Sequence, residues 1–149
     1  MTGEVLIDSN VFVYAYDARQ VIKQRRAVEM LDHLAGTGNG RISTQVLGEV
    51  FRALTSRIDP RLPVARAVEQ IVNMASSWPV LSITPVVALQ AAAGVRDHQL
   101  NYWDSQLWAT ARLNQIPVIL TEDFAHGRAL ESVRYVNPFS TAFDPAELS

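Results

Sequence analysis

Short apolar runs alternate with longer helical stretches along this chain of 149 residues. Five brief segments that carry β-branched residues predict strands at 5–7, 41–43, 79–83, 117–120 and 134–136. Apolar residues between these segments recur at the spacing of one helix face. Strands that alternate with helices favour an α/β domain, in which a largely parallel sheet is covered by helices on both faces.

The helical pattern and its stop signals set the expected boundaries. Helices are predicted at 11–16, 18–34, 44–57, 64–75, 86–95 and 101–114, with one further helical turn at 124–130. The glycines of 36–40 end the second helix, and Pro85 begins the fifth. We expect a single domain over 1–149, with its core at about 4–139 and a tail at 140–149.

Composition excludes several classes of protein. The chain is 48% hydrophobic and 19% charged with a net charge of -2, which argues against disorder and against a strongly basic nucleic-acid binder but allows a local basic groove. All but one of the 13 basic residues are arginines, which suit phosphate contacts, although a coding bias towards Arg and Ala explains them more simply. Having no cysteine, no signal-peptide pattern and no run long enough to span a membrane, the chain is expected to be soluble and cytoplasmic, without a membrane partner.

Four acidic residues lie in apolar surroundings, where burying a charged side chain costs free energy. Asp8 directly follows the first strand and Asp123 closely follows the fourth, while Glu49 and Asp104 share helix faces with apolar residues. Each has a structural explanation when it is taken singly. Asp8 would cap a helix, Glu49 would lie at a rim, Asp104 would complete a capping box opened by Asn101, and Asp123 would bond its own turn.

Taken together, the four acids favour a metal site. Ligands of open α/β sheets lie at the carboxyl ends of the strands, where two of the acids are predicted. Carboxylates that are brought together repel one another and their pKa values diverge or rise, unless a hard cation such as Mg²⁺ or Mn²⁺ binds between them. Such a site can activate water and hydrolyse a phosphodiester.

Other chemistries fit the sequence less well. Ser9 has no G-x-S-x-G context, and no histidine belongs to an H-E-x-x-H motif. His98 and His126 remain open as substrate contacts or as structural residues. A phosphoaspartyl transferase would need a lysine near its aspartate, and Lys23 is poorly placed for that role.

Four segments resemble, in order, the motifs of PIN-domain ribonucleases. They read IDSNVFVYAYD, QVLGEVFRAL, YWDSQLWATA and VILTEDFAHG, and the likeness covers roughly Val5 to Phe139. The resemblance is strongest to the VapC-type toxins of bacterial toxin–antitoxin pairs. It implies a three-layer α/β/α sandwich with a mostly parallel five-stranded sheet, and an endoribonuclease that uses Mg²⁺ or Mn²⁺.

The resemblance also implies roles for individual residues. The catalytic and metal-binding acids of the family fall on Asp8, Glu49, Asp104 and Asp123. Four neighbouring residues are expected to support these acids. Ser9 would lie near the metal's water, and Asn10 would hold the loop by hydrogen bonds. Thr121 matches the family's Ser/Thr two residues before the last acid, and Glu122 is a possible contributor at a variable position. Ser105 departs from the pattern, because a small apolar residue is more usual after the third acid.

Partners are implied by the resemblance as well. RNA is the expected substrate, a VapB-type antitoxin is the expected inhibitor, and a homodimer is the expected assembly. A free-standing PIN nuclease and a catalytically idle protein-binding domain stay open as alternatives, while a DNA nuclease would need insertions that this length does not allow. Two further sets of residues each have two possible roles. Phosphate contacts or ordinary surface residues are the alternatives for the arginines 52, 96, 112 and 128. Interface residues or core residues are the alternatives for Tyr14, Tyr16 and Phe51.

Overall fold

A computed structural model describes residues 3–148 of the chain as an α/β fold built on one sheet. The strands are β1 (Val5–Ile7), β2 (Gly40–Ser43), β3 (Val80–Leu81), β4 (Val118–Leu120), β5 (Ala129–Leu130) and β6 (Val133–Val136). They are arranged in the order β3-β2-β1-β4-β6-β5. Every neighbouring pair is parallel except β5 and β6, which are antiparallel. The predicted α/β class with a mostly parallel sheet is therefore confirmed.

Four helices in residues 3–148 follow a residue whose side chain caps their first turn, and the first two begin at 9 and 21 rather than at the predicted 11 and 18. They are α1 (Ser9–Tyr16), α2 (Val21–Thr37), α3 (Thr44–Ser56), α4 (Val64–Ser77), α5 (Pro85–His98) and α6 (Tyr102–Leu113). Ser43 and Thr84 each accept a hydrogen bond from a backbone N–H of the first turn that follows them, as helix caps do. Helix α2 ends at Gly38, whose φ of +74° is a left-handed conformation that glycine adopts without steric cost.

The strand order places the helices in two layers. The chain moves from β1 to β2 to β3 in one direction, and then returns across the sheet to β4. Because such crossovers are right-handed, the first four helices lie on one face, and α5 and α6 lie on the other. This is the predicted three-layer α/β/α arrangement. The strand order reverses between β1 and β4, which are paired neighbours in the sheet.

Close packing joins α5 to α6. A side chain at Gly94 would collide with Ser105 and with the ring of Trp108, so only glycine lets the two helices approach this closely. Ser105 is fully buried, and its hydroxyl donates to the carbonyl of Ala91 (2.6 Å). A serine is therefore accommodated after the third acid, where a small apolar residue was expected, because its hydroxyl has a hydrogen-bond partner.

The helical turn predicted at 124–130 is wrong, and the sheet has six strands rather than five. The backbone N–H of Gly127 donates to the carbonyl of Tyr135, and the N–H of Tyr135 donates to the carbonyl of Arg128 (both 2.8 Å). These hydrogen bonds cross to β6 instead of running along a helix. Gly127 (φ +85°) and Glu131 (φ +53°) provide the turns that allow the extra strand β5.

The segment expected as a tail packs against the body of the protein. A 3₁₀ helix spans Pro145–Leu148, and the side chains of Phe143 and Leu148 are buried. Arg134 donates to Glu147 (3.1 Å), which ties this helix to β6. Within residues 3–148, no helix combines the length and the apolar character needed to cross a membrane.

Candidate active site

The reversal point between β1 and β4 brings two of the four acids together. Asp8 directly follows β1, and Thr121 and Asp123 follow β4, the strand that pairs with β1. The backbone N–H of Asp8 donates to the carbonyl of Leu120 (3.0 Å), so the ends of the two strands are in register. In doubly wound sheets this crevice is where ligands bind.

Asp8 caps helix α1 and is buried, with only 5% of its surface exposed. Its Oδ1 accepts from the backbone N–H of Ser9 (2.7 Å), and its Oδ2 accepts from the hydroxyl of Thr121 (2.7 Å) and the amide of Asn10 (3.4 Å). No cationic side chain within 3–148 forms an ion pair with it. Burial, with the charges of Asp123 and Glu49, raises its pKa to about 7 despite these hydrogen bonds.

The other three acids act on one another electrostatically. Burial, followed by the charges of Asp104 and Asp123, raises the pKa of Glu49. Desolvation by the surrounding protein raises the pKa of Asp104 and also that of Asp123, although the latter side chain reaches solvent. The charges of Asp104 and Glu122 raise the pKa of Asp123 further. The four acids thus form one electrostatically linked cluster, in which the charges of Glu49 and Asp123 act on Asp8 and the charge of Asp104 acts on Glu49 and Asp123.

Hydrogen bonds position the residues around this cluster. Thr121 accepts from the backbone N–H of Asp123 (3.1 Å) and from the amide of Asn10 (3.2 Å), while it donates to Asp8. Asn101 accepts from the backbone N–H of Asp104 (3.0 Å), as a capping residue does, and its amide also donates to that carboxylate (2.5 Å). The capping explanations of the acids therefore hold alongside their clustering.

Glu122 is engaged by two neighbouring side chains, which the sequence did not indicate. Its carboxylate accepts from the hydroxyl of Tyr14 (2.5 Å) and forms an ion pair with Lys23 (3.0 Å). The ammonium group of Lys23 also lies over the rings of Tyr14 (4.7 Å) and Phe139 (5.7 Å). Lys23 was expected to be poorly placed for a phosphoaspartyl transferase, and the packing of α1 against α2 brings it to the loop after β4, where it pairs with Glu122 and not with Asp8.

A cleft of about 580 Å³ opens onto the cluster. Glu49 and Asp123 line it, together with Arg19 and Arg57, two cations that the sequence did not single out. Arg19 is held by Asp17 (2.8 Å). Arg57 is exposed at the end of α3, two turns beyond Glu49, and this helical spacing is a signal from which the sequence analysis could have found it.

Of the four arginines considered as phosphate contacts, Arg52 is the one that lies beside an acid of the cluster, because it lines two openings shared with Glu49. Arg96 is paired with Asp97, Arg112 is paired with Glu131, and Arg128 lies over the ring of Phe124. The two histidines that stayed open are also engaged elsewhere. His98 contacts Glu131 (3.0 Å), and His126 contacts Glu147 (3.2 Å).

The donor set is consistent with a hard divalent cation, although it forms no closed cage. Within 3–148, no three His, Asp or Glu side chains converge as ready-made metal ligands. Mg²⁺ does not require such a cage, because it keeps several waters and is usually held by one or two carboxylates. Two features favour a cation here: among residues 3–148, Asp8 is buried without a positive partner, and Oε1 of Glu49 is buried without a hydrogen-bond partner.

Comparison with known proteins identifies the family. The model of the PIN domain matches residues 5–129, which include all four acids. The chain belongs to the PIN domain family, as its motifs predicted. No curated protein matches the chain by sequence.

Solved structures share this fold. A toxin–antitoxin complex from Klebsiella pneumoniae has a TM-score of 0.69 at 18% identity, over 91% of this chain and 98% of that one. VapBC from Salmonella typhimurium, solved bound to DNA, has a TM-score of 0.63 at 16% identity, over 90% and 97%. VapC20 from Mycobacterium tuberculosis, described as a toxin that cleaves the sarcin–ricin loop, has a TM-score of 0.56 at 18% identity, over 78% and 87%. At these identities the likeness shows a common fold.

Proposed function

We propose that this chain is a metal-dependent endoribonuclease and the toxin of a VapBC-type toxin–antitoxin pair. The observation that carries the proposal is the cluster of four carboxylates at the reversal point of a PIN fold, with the buried Asp8 lacking any positive partner among residues 3–148. A site built from oxygen ligands selects hard cations such as Mg²⁺ or Mn²⁺. Solved relatives described as toxins add support for the biological role.

In this proposal Asp8, Glu49, Asp104 and Asp123 hold the cation. The bound ion would supply Lewis-acid chemistry, making water more acidic and offsetting the charge of the scissile phosphate. Thr121 keeps the carboxylate of Asp8 in one orientation by donating to Oδ2, and Asn10 fixes Thr121 in turn. Ser9 anchors the opposite oxygen of Asp8 through its backbone N–H.

The reaction would be hydrolysis of an RNA phosphodiester. The oxygen of water forms a bond to phosphorus, the bond from phosphorus to the 3′ oxygen breaks, and a proton passes to that oxygen. The products are a 5′-phosphate and a 3′-hydroxyl, as the family resemblance implies. Arg57, exposed in the same cleft as Glu49, is placed to offset the charge of a neighbouring phosphate.

Cleavage of RNA by the purified protein tests this function. We expect cleavage with Mg²⁺ or Mn²⁺, loss of cleavage with EDTA and recovery when the metal is restored. Asp8→Asn should be inactive, whereas Asp97→Asn, a surface control paired with Arg96, should match the wild type. Cleavage that is indifferent to EDTA would refute metal dependence, and an active Asp8→Asn would refute the assigned site.

The toxin role implies an antitoxin and a cytoplasmic location. Coexpression with the product of the neighbouring gene should abolish cleavage and yield a complex with a small DNA-binding protein. A nuclease that no such partner inhibits would instead be a free-standing PIN nuclease. An idle protein-binding domain is the other alternative, and the presence of all four acids argues against it.

A homodimer is also proposed. Tyr14, Tyr16 and Phe51 are half-buried and packed against the core, so they offer little free surface for an interface. Helix α4 instead exposes Val64, Val68 and Val72 at a spacing of four residues, which forms an apolar stripe. Light scattering should give twice the chain mass of 16.5 kDa, and Val68→Asp should return the protein to a monomer if the stripe is the contact.

A further inference from the structure

A second opening of about 630 Å³ lies between α3 and α6, beside the acid cluster. We call it the side groove, and its walls include Gly48, Glu49, Phe51, Arg52 and Trp103. Because Glu49 also lines the main cleft, the side groove lies directly beside the candidate active site. Its volume is in the range of sites that bind small molecules.

Trp103 is the exposed one of the two tryptophans on α6. Its side chain is 61% exposed, whereas Trp108 on the same helix is 1% exposed. The indole stands edge-on to the ring of Tyr102, with 5.0 Å between the ring centres and an angle of 86° between the planes. One large aromatic surface is thus presented to the side groove rather than to the core.

A hydrogen-bond chain links the backbone of Trp103 to α3. The amide of Gln45 donates to the backbone carbonyl of Trp103 (3.1 Å), and the amide of Gln106 donates to the side-chain oxygen of Gln45 (2.9 Å). The hydroxyl of Tyr102 donates to the side-chain oxygen of Gln106 (3.0 Å). The backbone that carries the Trp103 ring is therefore tied to α3, and Tyr102, whose ring packs against the indole, belongs to the same hydrogen-bond chain.

Gly48 keeps the wall of the side groove open. A glycine inside a helix costs about 0.5–1 kcal/mol relative to alanine. No packing requires it, because a Cβ at this position would meet nothing within 4 Å. The glycine therefore leaves space in the groove at a cost in stability, and a flat ligand can approach the backbone of α3.

The charges at the side groove fit a nucleotide. Arg52 lies one turn after Glu49 on α3 and forms no ion pair with any residue of 3–148. It also lines the adjoining opening with Ser56 and Arg57, which extends the positive surface along the helix. A purely apolar segment of a partner protein would gain nothing from this cation, whereas a phosphate next to a stacked base would.

We propose that the side groove binds an unpaired nucleobase of the RNA substrate, stacked on Trp103, while Arg52 contacts an adjacent phosphate. Single-stranded RNA is commonly recognised by stacking of its bases on aromatic side chains. The inference rests on the proposed nuclease function and adds that cleavage requires an unstacked base next to the cut. The groove would then contribute to the choice of cleavage site.

RNA binding by non-cleaving protein tests the groove. In an Asp8→Asn background, the affinity for a labelled single-stranded RNA of about 12 nucleotides is measured by fluorescence anisotropy. Trp103→Ala should lower the affinity about 5- to 150-fold, the usual range for loss of one stacking contact. Trp103→Phe should retain most of the affinity, and Leu89→Ala, an exposed apolar control on α5, should have no effect.

Two further measurements separate stacking from a general loss of binding. The first measurement uses a set of RNAs that each lack one base. One of these RNAs should bind the Trp103-containing protein more weakly than intact RNA does. Trp103→Ala should bind that same RNA as well as it binds intact RNA. Gly48→Ala should raise the melting temperature, because alanine favours the helix, and should lower RNA affinity, because its methyl group enters the groove.

The outcomes separate this inference from the nuclease function. Equal affinity of Trp103→Ala and its parent, or equal sensitivity of both to every abasic position, would overturn the base site while the wild-type protein still cleaves RNA. A wild-type protein that cleaves no RNA with either Mg²⁺ or Mn²⁺ would overturn the nuclease function and the base site with it.

Discussion

Helix α1 has a buried aspartate at each end, and the two differ in their surroundings. Asp8 caps its first turn and is 5% exposed, and Asp17 follows its last turn and is 6% exposed. Asp17 forms an ion pair with Arg19 (2.8 Å), and the hydrogen bond from that guanidinium holds its pKa below the usual range. Asp8 has neutral donors only, and burial raises its pKa to about 7.

The comparison distinguishes a structural acid from a functional one. A buried carboxylate that carries its own cation is satisfied within the fold. A buried carboxylate that lies near other carboxylates is repelled by them, and a bound divalent cation would relieve this repulsion. On this account the start of α1 is kept under electrostatic strain for function, while the end of the same helix secures the fold.

Asp8→Asn should lower the cleavage rate strongly and Asp17→Asn should not, and this is the largest difference expected. Residues that only orient metal ligands typically contribute 10- to 100-fold, so loss of a ligand itself should lower the cleavage rate at least about 100-fold. Asp17→Asn should stay close to the wild-type rate, measured at a temperature where both variants are folded by circular dichroism. Equal losses in the two variants would remove the distinction between the ends of α1.

Thr121→Val tests whether the orientation of Asp8 matters. The valine keeps the shape of the side chain but removes the hydrogen bond to Oδ2, so the Mn²⁺ concentration for half-maximal cleavage should rise about 10- to 100-fold. Thr110→Val is the matched control, because this buried threonine donates to a carbonyl of its own helix. A metal requirement unchanged in Thr121→Val would show that the hydroxyl does not position the acid.

The stabilising role of Asp17 should depend on pH. Its pKa is lowered in the folded state, so its contribution is complete above the unfolded value near 3.8 and is lost as the pH falls through the folded value. Asp17→Asn should therefore melt below the wild type at neutral pH, and the gap should close in strong acid. If the difference in melting temperature between the two proteins stayed constant from neutral to strongly acidic pH, the ion pair would not be the cause of that difference.

Lys23→Met should have the smallest effect. The pair between Lys23 and Glu122 is partly exposed, and such pairs contribute at most about 1 kcal/mol. The free energy of unfolding in urea should fall by no more than that amount, and RNA binding should weaken slightly because Glu122 gains an uncompensated charge. A loss of several kcal/mol would show that this pair holds α2 onto the loop after β4.

The sequence predicted local features better than long-range ones. Capping residues, apolar runs and the four acids are short-range signals, and the α/β class followed from their order. The segment after β4 was mistaken for a helical turn because its hydrogen bonds are made with β6. Such long-range hydrogen bonds cannot be predicted from the pattern of neighbouring residues. The stacking of Phe124 on Tyr135 (4.0 Å between ring centres) is equally long-range.

The site was predicted in part for the same reason. Each acid was identified by a charge in an apolar context, which a sequence displays directly. The place of Lys23 beside Glu122, and that of Trp103 near Glu49, depend on how α2 packs on α1 and α6 on α3. Their side chains look like ordinary surface residues until the fold is known.

The most direct test of the account is the melting temperature of the wild type and Asp8→Asn as Mn²⁺ is added. Without metal at neutral pH, Asp8→Asn should be the more stable protein, because it lacks the buried charge among the other acids. Added Mn²⁺ should stabilise the wild type strongly and Asp8→Asn little, since only the former holds the full set of acids. Equal response of the two proteins to Mn²⁺ would contradict the claim that Asp8 is buried to bind a cation.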